Sequence, residues 1–297
     1  MKCGSVAIMG RPNVGKSTLL NTLLNTKLAI TTDKAGTTRN IINGIYQDDD
    51  AQIIFIDTPG IHKPTHKLGN LLNRKAYHNI DNADIILLLV DAKGGIGRGD
   101  QFVLEKIKAT KEADVPVFLL LNKIDQLSKE QVMKILNQAK DLYPFAEIIP
   151  ISALKKTGKE ELLKTLKQYL EEQTAIFSED ELTNVSTKFI MAEFVREKAM
   201  QLTKEEVPHA ITCYVENFEE EENLVHIQVL LVVDRDNLKK ILIGKNGQML
   251  KKIGTLARID MEAFLGKKVF LETHVKTLQN WRDQEKYLLE LGLKEDE

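Results

Sequence analysis

The sequence predicts an α/β protein: a doubly wound, mostly parallel sheet over the first half, followed by a smaller α+β unit. Three observations predict it. Gly10-Arg11-Pro12-Asn13-Val14-Gly15-Lys16-Ser17 fits G-x-x-x-x-G-K-[ST] at every fixed position, between the apolar run Val6–Met9 and a helix-compatible stretch from Thr18. Up to about Thr174, continuous apolar runs alternate with helical stretches, as in a parallel sheet covered on both faces. Beyond Phe189 the order becomes helix, strand, strand, helix, helix, strand around Gly244-Lys245-Asn246-Gly247.

The strands expected in the first half are Ser5–Met9, Arg39–Tyr46, Ala51–Ile56, Ile85–Val90, Val117–Leu121 and Glu147–Ile151. The helices are Lys16–Asn25, Leu68–Asn79, Asp100–Thr110, Lys129–Leu142 and Lys159–Glu171. Ligands of such folds gather at the carboxyl ends of the strands. Residues 1–173 read as one domain, 174–187 as a polar and acidic linker anchored by Ile176 and Phe177, and 188–297 as a second domain.

In Gly10–Ser17 the glycines let backbone N–H groups turn inward around phosphate oxygens, and a helix start adds its positive dipole end. Lys16 reaches the β- and γ-phosphates and the Ser17 hydroxyl ligates Mg²⁺, with Thr18 following. Asp57-Thr58-Pro59-Gly60 follows the third strand. There a carboxylate can hold Mg²⁺ through water and the Gly60 N–H can sense a γ-phosphate. Asn122-Lys123-Ile124-Asp125 decides the base. A carboxylate accepts only, so Asp125 matches the adjacent N1–H and N2–H₂ donors of guanine, which adenine lacks. Ser152-Ala153-Leu154, after the last strand, would close over the base through backbone groups.

The ordered set GRPNVGKS, GTTRN, DTPG, NKID and SAL resembles the translation-factor-like P-loop GTPases, within them the branch containing TrmE and Era. The resemblance implies a switch loop through Gly36, Thr37, Thr38, Arg39 and Asn40. It implies that one of the two threonines meets Mg²⁺ and the γ-phosphate; Thr38 is preferred, although sequence does not separate them. Lys16, Thr38, Gly60 and Asn13 are then the candidate catalytic residues. In the TrmE-like branch an asparagine at the place of Asn13 helps to hold K⁺ beside the phosphates. Ile61 stands where Ras-like GTPases carry a water-orienting glutamine, and it has no group to orient water, so slow intrinsic hydrolysis is expected. His62 and His66 read as switch residues rather than metal ligands. Asp91 reads as a turn residue, and Asp84 and Asp100 as helix-boundary residues.

In the second half a helix (Phe189–Leu202), two strands (His209–Phe218, Leu224–Asp234) and a short helix (Leu238–Ile243) lead to Gly244-Lys245-Asn246-Gly247. A helix (Gln248–Phe264), a strand (Lys267–His274) and a last helix carrying Trp281 and Tyr287 follow. Glu219–Glu222 reads as a solvated hairpin tip. Lys188 to Asp234 holds 4 basic and 10 acidic residues, whereas Arg235 to Lys286 holds 12 basic and 6 acidic. Lys240, Lys245, Lys251 and Lys252 concentrate that positive charge around the glycines. Gly-x-x-Gly between two helices resembles the KH domain, in its type II order, whose loop clamps single-stranded RNA backbone. Ile241, Leu242, Ile243 and the strand Val225–Val233 are expected to line a groove for unstacked bases.

A GTPase half followed by one KH half resembles the Era family over nearly the whole chain. The resemblance implies GTP and GDP as ligands, and binding to 16S ribosomal RNA near its 3′ end. It also implies a part in 16S processing and biogenesis of the 30S subunit, with loose peripheral membrane contact in some members. A reading of another class is a nucleotide-gated RNA chaperone or scaffold with incidental turnover. The chain has one phosphate loop where Der has two, and no cysteine after Cys213 such as the TrmE type requires.

Composition agrees with a soluble protein of two domains: 297 residues, 43% apolar, 28% charged, with 41 Lys+Arg against 43 Asp+Glu. Any nucleic-acid patch must therefore be local. Cys3 and Cys213 form no paired motif and read as reduced thiols. The absence of a signal-like segment and an apolar run no longer than Ile85–Val90 lead to the expectation of a cytoplasmic protein, and a monomer is expected.

Overall fold

A computed structural model describes residues 1–34, 36–60, 66–81, 83–110, 114–291 and 293. The chain divides into two compact units. One comprises the described residues of Met1–Ala29, Thr38–Lys63 and Leu72–Asn184; the other comprises those of Ile30–Thr37, Pro64–Leu71 and Val185–Glu297.

The first unit runs β1 (Lys2–Met9), α1 (Lys16–Leu24), β2 (Ile42–Gln47), β3 (Ala51–Asp57), α2 (Lys67–Asp81, shared with the second unit), β4 (Ile85–Asp91), α3 (Arg98–Thr110), β5 (Val117–Asn122), α4 (Lys129–Lys140), β6 (Glu147–Pro150), α5 (Lys159–Tyr169) and β7 (Glu171–Glu172). The sheet order is β2-β3-β1-β4-β5-β6, with the short β7 beside β1. β1 is parallel to β3 and β4, β4 to β5, and β5 to β6; only β2 and β7 run antiparallel to their neighbours. β3 is buried along its whole length, as a sheet covered on both faces requires. One layer of core joins Ala7, Met9, Ile86, Leu88, Leu119 and Leu121 to Val103, Leu104 and Ile107 of α3. Each buried Val, Leu, Ile or Met side chain there contributes roughly 1.5–3 kcal/mol.

The β2–β3 hairpin turns on Asp48, whose Oδ1 accepts from the N–H of Asp50 and of Ala51, both at 3.0 Å. Strand β2 begins at Ile42, so Arg39, expected inside it, lies in the loop before it. β2 would be an open edge, and residues 182–184 cover it. Ile45 N donates to Leu182 O at 2.9 Å and Asn43 N to Asn184 Oδ1 at 3.0 Å. Buried Gln52 accepts at Oε1 from the N–H of Ile176 and of Phe177. The stretch read as a linker from 174 to 187 thus groups with the first unit up to Asn184, and it is Ile176's backbone that is tied, its side chain being exposed. Glu171, expected to end a helix, lies in β7 after α5 stops at Tyr169.

The second unit continues with α6 (Thr187–Leu202), α7 (Val207–Ala210), β8 (Ile211–Glu220), β9 (Leu224–Val233), α8 (Asp236–Ile243), a one-turn 3₁₀ helix at Lys245–Gly247, α9 (Gln248–Leu265), β10 (Lys268–Thr277), a 3₁₀ turn at Trp281–Asp283 and α10 (Glu285–Glu290). Its sheet order is β10-β9-β8, with β9 antiparallel to β8 and parallel to β10. A parallel pair needs a crossover, and α8, the glycine turn and α9 supply it. Four expectations change. α7 precedes β8 and has no counterpart in the expected element order. Glu219 and Glu220 belong to β8 rather than to its turn. Trp281 lies in the 3₁₀ turn, fully buried, its Nε1 donating to Ala210 O at 2.9 Å. Leu242 and most of β9 are core rather than groove lining, because β9 is the central strand.

Candidate functional site

The nucleotide loop leaves the end of β1 and enters α1. Gly10 (φ 153°) and Gly15 (φ 103°) take backbone angles that side chains disfavour. A Cβ at Gly15 would stand 2.4 Å from Asn122 Nδ2, and one at Gly10 2.5 Å from Leu89 O. Gly15 provides no side-chain cap to α1, which suits the helix start to an anion. Lys16 curls back over the loop, its Nζ donating to Gly10 O (3.1 Å) and Arg11 O (3.0 Å). Burial lowers its pKa from 10.5 to about 8, against the opposing pull of Asp57.

Beside Lys16 three oxygens converge. Ser17 Oγ donates to Asp57 Oδ2 at 2.7 Å and lies 2.9 Å from Thr38 Oγ1, which reaches Asp57 Oδ2 at 3.4 Å. Asp57 is fully buried, and its Oδ1 has no hydrogen-bond partner among the described residues. Burial raises its pKa, against Lys16, Ser17 and Thr38, which lower it. Two hydroxyls and a carboxylate with an orphaned oxygen fit Mg²⁺, a hard cation that keeps waters and binds through few carboxylates. Among the described residues no group of three His, Cys, Asp or Glu forms a metal site. Thr37 points elsewhere: its hydroxyl bonds Lys34 O and Thr32 Oγ1, each at 2.7 Å. Gly36 turns with φ 75°, Arg39 is buried, and Asn40 is partly buried.

Thr58 Oγ1 donates to Ile8 O at 2.8 Å and so fastens the end of β3 to β1. Pro59 is buried, and a Cβ on Gly60 would lie 2.9 Å from Pro12 N, so Gly60 abuts the phosphate loop. Ile61 and His62 lie outside the described residues.

At the base side, Asn122 bridges two loops: its Nδ2 donates to Val14 O (2.8 Å) and its Oδ1 accepts from Ala153 N (2.9 Å). Lys123, with φ 68°, donates to Asn13 O (2.9 Å) and pairs with Asp91 (2.6 Å). Ile124 is partly buried and begins the turn that presents exposed Asp125. Asp125 Oδ1 accepts from Ser152 Oγ at 2.5 Å. Ser152 and Ala153 are buried, whereas Leu154 is 72% exposed. The structure thus brings together residues from five separate stretches. It adds Thr22 and Thr157, which sequence reading passed over, and Asp91 and Asp100, which it read as a turn and a helix-boundary residue. Thr22 Oγ1 donates to Ala153 O, Asp91 orients Lys123, Asp100 pairs with Arg11 at 2.7 Å, and Thr157 bridges Ser152. Asp91 and Asp100 followed a strand and opened a helix, and only their distance to Lys123 and Arg11 marks them. Asp84, read as a helix boundary, instead accepts from Ser5 N and Oγ in β1.

In the second unit, Gly244 (φ 70°), Asn246 (φ 53°) and Gly247 (φ 75°) make the turn between α8 and α9. A Cβ on Gly244 would lie 2.7 Å from Met249 Cβ, while Gly247 faces open space. Lys240, Lys245, Lys251 and Lys252 are exposed around it, Ile243 is partly buried, and Ile241 is 48% exposed. An open turn with free approach and four cations fits a phosphate backbone.

The family described as 50S ribosome-binding GTPase matches residues 5–123, and the KH domain family matches residues 206–282. A crystal structure of Era in complex with MgGDPNP and nucleotides 1506–1542 of 16S ribosomal RNA is similar at 42% identity and a TM-score of 0.94, covering 99% of each chain. A single-residue variant of Era from Aquifex aeolicus, bound to GDP·AlF4⁻, is similar at 42% identity, TM-score 0.93, again over 99% of each chain. With that identity over 99% of both chains, and with a phosphate loop and a Gly-x-x-Gly turn inside the matched segments, this chain belongs to the Era family of GTPases.

Proposed function

We propose that the protein is a Mg²⁺-dependent GTP switch that binds 16S ribosomal RNA near its 3′ end and acts in 16S processing and biogenesis of the 30S subunit. The observation that carries the switch is Thr38 resting on the Ser17–Asp57 pair while Thr37 is bonded elsewhere. The RNA half is supported by the exposed lysines at the Gly244–Gly247 turn and by the likeness to Era holding 16S nucleotides.

The chain's own groups divide the chemistry. Lys16 and the loop N–H groups position and neutralise the phosphates, and Asp125 with Asn122 selects guanine. Ser17, Thr38 and, through water, Asp57 would hold Mg²⁺. Bound there, the ion supplies charge that neutralises the transferring phosphoryl group. Water attacks in line, with hydrolysis slow because Ile61 cannot orient it. Asn13 would then help to hold K⁺, a charge of the kind an arginine supplies elsewhere. Turnover in K⁺ is expected to exceed turnover in Na⁺ at equal ionic strength, by up to roughly 10³-fold if K⁺ does the work of one stabilising charge. Equal rates would remove K⁺ from the mechanism.

For RNA, Lys245→Ala is expected to weaken binding of an oligonucleotide spanning nucleotides 1506–1542. It should lower the slope of log affinity against log salt by about 1, one phosphate contact. Fluorescence anisotropy across a salt series measures both, and an unchanged slope would take the turn out of the RNA interface. We place the protein in the cytoplasm as a monomer, with loose peripheral membrane contact. Neither cysteine forms a disulfide, which suits a reducing compartment, and among the described residues no helix is long and apolar enough to cross a membrane.

A further inference from the structure

Within the second unit, α6 holds both ends of the segment Ile30–Thr37. Glu197 is fully buried, and its Oε1 accepts from Thr31 N at 2.8 Å and Thr31 Oγ1 at 3.4 Å. Gln201 Nε2 donates to Thr31 O at 3.1 Å. At the other end, fully buried Arg196 donates through Nη2 to Thr37 O. The same guanidinium forks onto Glu193, Nε to Oε1 at 2.6 Å and Nη2 to Oε2 at 2.5 Å. Lys198 ties Glu197 (2.8 Å) to Asp260 of α9 (2.6 Å).

The spacing 193, 196, 197 puts three charged side chains on one helix face, here the buried one. Burying charges is costly, and a buried pair is poor evidence of stability by itself. A packed apolar trio would serve α6 at least as well, but it could not grip a carbonyl and an N–H of a neighbouring segment. Thr37, whose carbonyl Arg196 holds, precedes Thr38, whose hydroxyl meets Ser17 and Asp57. A peptide unit is rigid, so fixing the Thr37 carbonyl restricts where the Thr38 side chain can go.

We propose that Arg196, oriented by Glu193, is a positioning residue for the GTP-bound state: it fixes the Thr37–Thr38 peptide so that Thr38 stands ready for Mg²⁺ and the γ-phosphate. The second unit thereby distinguishes triphosphate from diphosphate. The proposal rests on the assignment of Thr38 given above.

The test is titration of the full chain with fluorescent GDPNP and GDP in Mg²⁺. The double variant Glu193→Gln, Arg196→Met removes both charges together and strands neither. Its ratio of GDPNP to GDP affinity is expected to fall about tenfold, a usual size for coupling between sites, with GDP affinity held within about twofold. Arg196→Lys, which keeps a donor for the carbonyl, is expected to retain part of the ratio, a rescue that a purely structural role would not show. A folded double variant with the wild-type ratio overturns the proposal. Should it not fold, Gln201→Ala on the exposed side of the same clasp is expected to lower the ratio by about two- to threefold, on the order of one neutral hydrogen bond; no change there overturns it too. Thr38→Ala separates the two layers. If it lowers the ratio and the α6 variants do not, the site stands and the positioning falls. If Thr38→Ala leaves the ratio unchanged, the site assignment fails and takes the proposal with it.

Discussion

Lys16→Met is expected to lower GTP affinity by roughly 10²- to 10⁴-fold, the loss of two charge-assisted hydrogen bonds to phosphate. Burial holds the pKa of Lys16 near 8 rather than 10.5, and its Nζ donates to the carbonyls of Gly10 and Arg11. The pH dependence has a definite sign. Below about 8 the group is protonated folded and unfolded alike, and the whole penalty is present. Between about 8 and 10.5 the unfolded chain binds more protons than the folded one, so stability rises with pH. Without nucleotide, the wild type is therefore expected to gain about 3 kcal/mol on the methionine variant across that window, a shift of 2.5 units at 1.36 kcal/mol each. Denaturant unfolding of both proteins at pH 7.5 and pH 10.5, conditions chosen at roughly the ends of the window, measures the gain. Parallel pH profiles would show that Lys16 is solvated in the free protein.

Asp125→Asn should exchange the base. Guanine offers two donors, and a carboxylate accepts both; an amide offers one acceptor and one donor. Xanthine, with a carbonyl in place of the 2-amino group, matches the amide. GTP affinity is expected to fall by roughly 10²- to 10⁴-fold while xanthosine triphosphate gains, because a site built on hydrogen bonds rejects a mismatched partner strongly. The loop should survive the change, since Ser152 Oγ still finds an acceptor at position 125 and Asn122 still ties Val14 to Ala153. Competition between the two triphosphates measures it. A variant that loses both without gaining the second would mean that Asp125 holds its loop rather than the base.

Much of this was legible from local pattern. A parallel sheet covered on both faces leaves apolar runs, and the motifs follow β1, β3, β5 and β6 because backbone geometry gathers ligands at those strand ends. The Gly244–Gly247 turn was legible because positive φ selects glycine at fixed positions. What escaped was set by distant partners. Gln52 is a polar residue inside an expected strand, and it is buried because residues 176–177 lie across it. Trp281 looked helical until its indole N–H was seen bonded to Ala210. Leu242 looked like groove lining until the central position of β9 closed the core over it.

The phosphate loop, the Asn122–Asp125 stretch and the lysine-rich turn were legible in the sequence itself, since each is a pattern of residue types at short, fixed spacing. Which of Thr37 and Thr38 reaches Ser17 and Asp57 was not. Adjacent threonines are chemically equivalent, and their choice depends on where the backbone between them is held. Only the tertiary structure decided it, by binding Thr37 to Lys34 and Arg196 and leaving Thr38 to Ser17 and Asp57.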